Sequence, residues 1–186
     1  MTLFSGSCRR RRYWWAGFGA AQLLLCAGTV AQGTAEPALK AAFLYNFVKF
    51  TEWPAESVPS DSAITLCVFG DEAVATALEQ TIKGRQIGGH AVTVARVNVA
   101  LNSCQVLYVS GVDRRQAVQV IERVKAAPVF TVGDLDGFAA LGGVGQLFVE
   151  NGKMRFALNP TSAQRAGLRL SSKLLALAKV VKDESP

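Results

Sequence analysis

Few residues in this chain could do covalent or metal chemistry. His90 is the only histidine and sits in a Gly-rich turn. It has no Cys, His or carboxylate cluster at ligand spacing, so no metal site is expected. There is no Gly-x-Ser-x-Gly and no phosphate-binding loop, and Gly70-Asp71 is a single glycine rather than a dinucleotide fingerprint. Gly70, Asp71, Ser110 and Asp134 each follow an apolar run that reads as a strand. That places them at strand C-terminal ends, the edge of an open parallel sheet where ligands bind. They form a candidate small-molecule pocket, and the same residue types also serve as plain turn and cap residues. An acid–base pair of Asp71 and Asp134 would need the two carboxylates side by side, and nothing in the sequence brings them together. No nucleophile has a base as partner, so neither enzyme activity nor a cofactor is expected.

The elements that must position these residues centre on two apolar stretches, Ile64–Phe69 and Cys104–Val109. Both are short, rich in β-branched residues and bounded by Gly, Asp or Ser, as buried strands are. The spacing predicts a helix over 72–82 capped by Asp71 and stopped by Gly84. A second strand follows over 92–97, after the Gly88-Gly89 turn. A helix is expected over 114–126, with Val118, Ile121 and Val124 on one side, and a further strand over 128–132. This alternation predicts an α/β fold, a mostly parallel sheet with helices on both faces.

Upstream, residues 36–50 read as a helix that is apolar nearly all round. Phe43 and Phe47 lie on one face, and Leu44 and Val48 make a second apolar side. Such a helix is buried on both sides, by another helix of the chain or by a partner subunit. These four residues therefore belong to the core or to a homodimer interface. Asn46 falls beside the phenylalanine face, and Trp53-Pro54 ends the helix.

Downstream the alternation breaks. Gly142-Gly143 reads as a hinge or turn, and Asn151-Gly152 between apolar runs predicts a C-terminal β-hairpin. Two C-terminal helices follow, one capped by Asn159 with Pro160 at its first position and Gly167 past its end, the other capped by Ser171. Leu174, Leu177 and Val181 are its expected buried stripe. The hairpin, expected at the periphery of the sheet, carries Phe148, Phe156 and Leu158 close to Glu150, Lys153 and Arg155. An apolar centre with a charged rim is how interfaces are built, so these six are the candidate partner-binding surface.

The first 31 residues read as a secretory signal peptide: Arg9 to Arg12, an apolar run with Leu23 to Leu25 at its centre, then the small residues around Ala31. Residues 36–182 form a single domain, with no direct membrane insertion expected after cleavage. Net charge falls from +6 to +2 when the four arginines are removed, leaving 16 Lys+Arg against 14 Asp+Glu. So small an excess without a basic cluster argues against a nucleic-acid partner. Cys67 and Cys104 are the cysteines left in the exported chain, where two thiols either pair or remain separately buried.

Taken together, several motifs resemble the YfiR family of periplasmic proteins. They include Lys40-Ala-Ala-Phe-Leu-Tyr-Asn-Phe-Val-Lys-Phe50 with Glu52-Trp-Pro54, Cys67-Val-Phe-Gly-Asp71 and Cys104-Gln-Val-Leu-Tyr108. Pro128 to Val132 with Asp134, Gly142-Gly143, Asn159, Arg165-Ala-Gly167 and Ser171 to Leu175 continue the match in order. The resemblance implies a dimeric α/β domain in the Gram-negative periplasm and a Cys67–Cys104 disulfide. It further implies a repressor that binds the periplasmic domain of an inner-membrane diguanylate cyclase and lowers cyclic-di-GMP output and biofilm formation. The family's second cysteine pair, in the C-terminal region, is absent here. A periplasmic small-molecule binder using the strand-end pocket is the alternative.

Overall fold

The computed structural model describes residues 32–98 and 103–183; the expected signal peptide lies outside them. In chain order the elements are α1 (Gln32–Lys49), β1 (Thr51–Glu52), β2 (Ile64–Phe69), α2 (Glu72–Ile82), β3 (Gln86–Ile87), β4 (His90–Val97), β5 (Val106–Val109), α3 (Arg114–Val124), β6 (Phe130–Gly133), β7 (Gly145–Glu150), β8 (Lys153–Leu158), α4 (Pro160–Arg165), β9 (Arg169–Leu170), α5 (Ser172–Leu177) and β10 (Lys179–Val180). Eight strands form one sheet in the order β10-β8-β7-β6-β5-β2-β4-β3, and β1 pairs with β9 apart from it. From β4 through β2, β5 and β6 to β7 every pairing is parallel. β3 runs antiparallel to β4 and β8 antiparallel to β7, and β10 lies parallel to β8. The two stretches that organise the sequence, β2 and β5, lie side by side at the centre.

Each central strand is buried on both sides, which is why it reads as a continuous apolar run. Even-numbered residues such as Leu66, Val68, Val106, Tyr108, Phe130 and Val132 share one core with α1 and α2. Odd-numbered ones such as Cys67, Leu107 and Val109 share the other with α3. Helices thus cover both faces, as the alternation predicts. The buried stripe of α3 is Ala117, Val120, Ile121 and Val124, whereas Val118 is exposed.

The two apolar sides of α1 are both covered within the chain. Phe47 stacks on Phe130 at 5.1 Å, and Phe43 lies 5.6 Å from Phe156. Leu44 and Val48 are buried in the same cluster as Val74, Ala75 and Leu78 of α2. All four residues are therefore accounted for by packing in one protomer, which removes the argument that this helix needs a second subunit. Asn46 points to solvent and bonds back to the Ala42 carbonyl. The helix also starts earlier than its Glu36-Pro37 signal suggests, with Pro37 inside it.

Three expectations for the last third need correction. The hairpin β7–β8 is not set apart from the sheet; it extends it toward one end, where β10 pairs with the last two residues of β8. Gly142-Gly143 is the turn of the two readings rather than the hinge: Gly142 N bonds to Ala139 O, and a Cβ on Gly143 would lie 2.4 Å from the fully buried Phe138 ring. Leu177 is 75% exposed, because α5 ends there and the chain turns into β10; Leu174 is the buried member of its stripe.

Candidate functional site

β2, β5 and β6 end level with one another, Phe69 beside Val109 and Val109 beside Gly133. The residues that follow, Gly70, Ser110 and Asp134, therefore converge on one edge. Gly70 adopts φ +83°, and a Cβ there would lie 2.2 Å from the Ser110 carbonyl oxygen. Only glycine lets the two turns approach this closely. Asp71 does not join them: its carboxylate accepts from Val74 N at 3.0 Å and caps α2.

Asp134 is the centre of the edge. Its Oδ2 accepts from Lys40 Nζ at 2.8 Å, from the Tyr108 hydroxyl at 2.8 Å and from Ser110 Oγ at 2.9 Å. Lys40, only 8% exposed, also pairs with Glu36 at 3.0 Å. The network thus ties α1 to the ends of β5 and β6. Two of its members escaped the sequence reading. Lys40 is a cation in the middle of an apolar helix, and Tyr108 a phenol inside a buried strand; both types need a buried partner, which is the signal that could have found them.

The electrostatics hold the charges of this network in place. Burial opposes the charge on Lys40, but the bonds to Asp134 and Glu36 outweigh it and hold the ammonium above the ordinary lysine range. Burial likewise opposes ionisation of Asp134, yet the Lys40, Tyr108 and Ser110 donors hold its carboxyl below the usual range. Tyr108 is pushed up, first by burial and then by the neighbouring Asp134 charge. All three groups are thus held in their ordinary charge states at neutral pH, Lys40 and Asp134 as an ion pair and Tyr108 as a neutral donor.

At this edge the Gly70 and Ser110 turns are in close contact, and Oδ2 of Asp134 takes three donors from the protein. A cavity of about 20 Å³, lined by Ile121, Thr131, Val144, Ser162 and Arg165 among others, lies elsewhere; that is room for about one water. Among the described residues no group of His, Cys, Asp or Glu could hold a metal ion. His90 bonds to the Ser62 carbonyl at 2.9 Å.

Cys67 and Cys104 form a disulfide with Cα atoms 5.8 Å apart. Each is 1% exposed, in the core beneath α3. The bridge fastens the start of the β5 segment to β2. A second polar cluster fixes the C-terminus: the fully buried Asn159 caps α4 through Ser162 N and donates to Ala139 O and Asp183.

The six hairpin residues fall on two different faces. Leu147 pairs with Phe156, and Phe148 with Arg155, so the pleat sends these pairs to opposite sides. Phe156 and Leu158 are buried against α1 and the core, and are not available to a partner. Phe148, half-buried, shares the other face with the exposed Glu150, Lys153 and Arg155. Alternation along a strand makes a single patch of all six impossible.

Residues 37–179 match the DUF4154 family, described as YfiR/HmsC-like. The chain belongs to this family. A solved structure, a conserved domain protein from Vibrio cholerae O1 biovar El Tor, is similar over 69% of this chain with 15% identity and a TM-score of 0.45. The present chain spans 57% of the length of that protein. The YfiR/HmsC-like assignment covers the disulfide, the Lys40–Asp134 network and the hairpin alike. No helix among the described residues is long and apolar enough to cross a membrane.

Proposed function

We propose that this YfiR/HmsC-like protein is a periplasmic regulator that represses an inner-membrane diguanylate cyclase by binding its periplasmic domain. The observation that carries this reading is the family match over most of the chain. The site chemistry is in keeping with it, because the Lys40–Asp134 network joins α1 to the strand ends through protein partners. Binding then falls to a surface, and the exposed hairpin face of Phe148, Glu150, Lys153 and Arg155 is the one the sequence and the strand register together favour. A homodimer belongs to the reading on the strength of the resemblance. It would have to use a surface other than Leu44 and Val48, which α1 buries internally.

The test is cyclic-di-GMP in cells with and without the gene, followed by complementation. Loss of the protein should raise cyclic-di-GMP and biofilm mass. The wild type should restore both, and a Glu150→Lys/Arg155→Glu variant that still folds should restore neither. Unchanged cyclic-di-GMP on deletion would overturn repression; full rescue by the variant would move the contact away from the hairpin.

A further inference from the structure

The uncovered face of the hairpin carries more positive charge than its sequence neighbourhood suggests. Lys153 and Arg155 lie on it two residues apart along β8. Lys179 of β10 sits beside Ala157, the next position on that face, with its Nζ 5.9 Å from the Phe148 ring centroid. All three cations are exposed. Among the described residues none of them makes an ion pair, although Glu150 lies directly across from Lys153. The chain is polarised in the same sense. Between Thr51 and Ile82 it has six acids and no Lys or Arg, whereas from Glu150 to Asp183 it has seven Lys and Arg against two acids.

We propose that the β7–β8–β10 face is a docking surface for an extended, carboxylate-rich segment of a protein partner. Same-face positions in an extended chain repeat about every 7 Å, which is the spacing between Lys153 and Arg155. A strand-like segment with acids at alternate positions would therefore meet both, and Lys179 would reach it from the adjoining strand. Phe148, directly across from Arg155 and with its ring 5.9 Å from Lys179 Nζ, gives the strip an apolar floor. Charge of one sign on a rigid surface steers an oppositely charged partner and fixes its register. An anionic membrane fits less well. Membrane-surface binding joins cations to projecting apolar side chains, but here Phe148 is half-buried. The exposed Val149 and Val180 belong to the opposite face, in register with Met154 and Leu158.

The inference rests on the regulatory reading and names the chemistry of its partner. Its test uses a dye-labelled peptide of alternating Glu and Ser, titrated with the purified chain and followed by fluorescence anisotropy, with phosphatidylglycerol vesicles as a second arm. The peptide should bind, more weakly as salt rises. Arg155→Glu and Lys179→Glu should each weaken it by roughly tenfold. Lys83→Glu, the same charge change at the C-cap of α2, should leave it unaltered. Thermal melting checks that each variant is folded. Equal weakening by all three variants would mean diffuse charge and overturn the proposal, as would no peptide binding or binding to vesicles alone. Because no cyclase enters the assay, its failure leaves the repression test standing, and failure of that test leaves the peptide result intact.

Discussion

Removing Asp134 should destabilise the protein more than removing Lys40, although the two form one ion pair. Asp134→Ala strands an ammonium that is 8% exposed, with only the largely solvent-facing Glu36 left as partner. It also takes the acceptor from the Tyr108 and Ser110 hydroxyls. Breaking a buried pair costs about 3–5 kcal/mol when a charge is left uncompensated; Glu36 moderates this, so about 3 kcal/mol is expected. Lys40→Met keeps the aliphatic stem and leaves Asp134 with two hydroxyl donors and a side chain 24% exposed, so about 1–2 kcal/mol is expected. Urea unfolding at neutral pH, followed by far-UV circular dichroism, measures both. The acid limb gives a second check. The folded carboxyl lies below its ordinary value, so the unfolded chain takes up the proton first as pH falls. The contribution of Asp134 is fully present above about pH 4 and is lost as the pH drops through the folded value. Asp134→Asn should therefore flatten stability against pH in that window. Lys40→Met costing as much as Asp134→Ala, or an unchanged acid limb in Asp134→Asn, would refute this account.

Other predictions follow from single contacts. Cys67→Ser should cost roughly 4 kcal/mol, from the loop closed over a separation of 37 residues; intact mass after alkylation without reductant should show no free thiol at either position in the folded wild type. Gly70→Ala should cost at least about 1–3 kcal/mol, because it combines a positive φ with a backbone clash at Ser110; thermal denaturation reads it. Phe156→Ala should lose about 3–5 kcal/mol as a core truncation, whereas Phe148→Ala on the other face should lose well under half of that, which chemical denaturation of the pair will show.

Much of the architecture was legible because local signals and tertiary packing agree. Asp71, Asn159 and Ser171 cap the helices their types predict, and Asn151-Gly152 turns the hairpin between the expected runs. The central strands announced themselves by burial on both faces. What failed depends on information that is not local. β3, only two residues long, exists because the Gly88-Gly89 turn folds it onto β4, and two residues carry no periodicity. α1 extends through Pro37, beyond the boundary its proline suggests. Leu177 has the right spacing for a buried stripe, but a helix of six residues ends before its packing can reach that turn.

The candidate sites separate along the same line. Gly70, Ser110 and Asp134 were placed at the sheet edge by reading where strands stop, but spacing alone does not say what fills the edge. The answer came from α1, nearly a hundred residues away in sequence, through Lys40. That ammonium fastens a helix to the strand ends, while Asp71, the other carboxylate of the edge, caps α2 instead. The hairpin shows the converse. Its six residues look like one patch in sequence, and strand alternation divides them, giving Phe156 and Leu158 to the core and Phe148, Glu150, Lys153 and Arg155 to the surface.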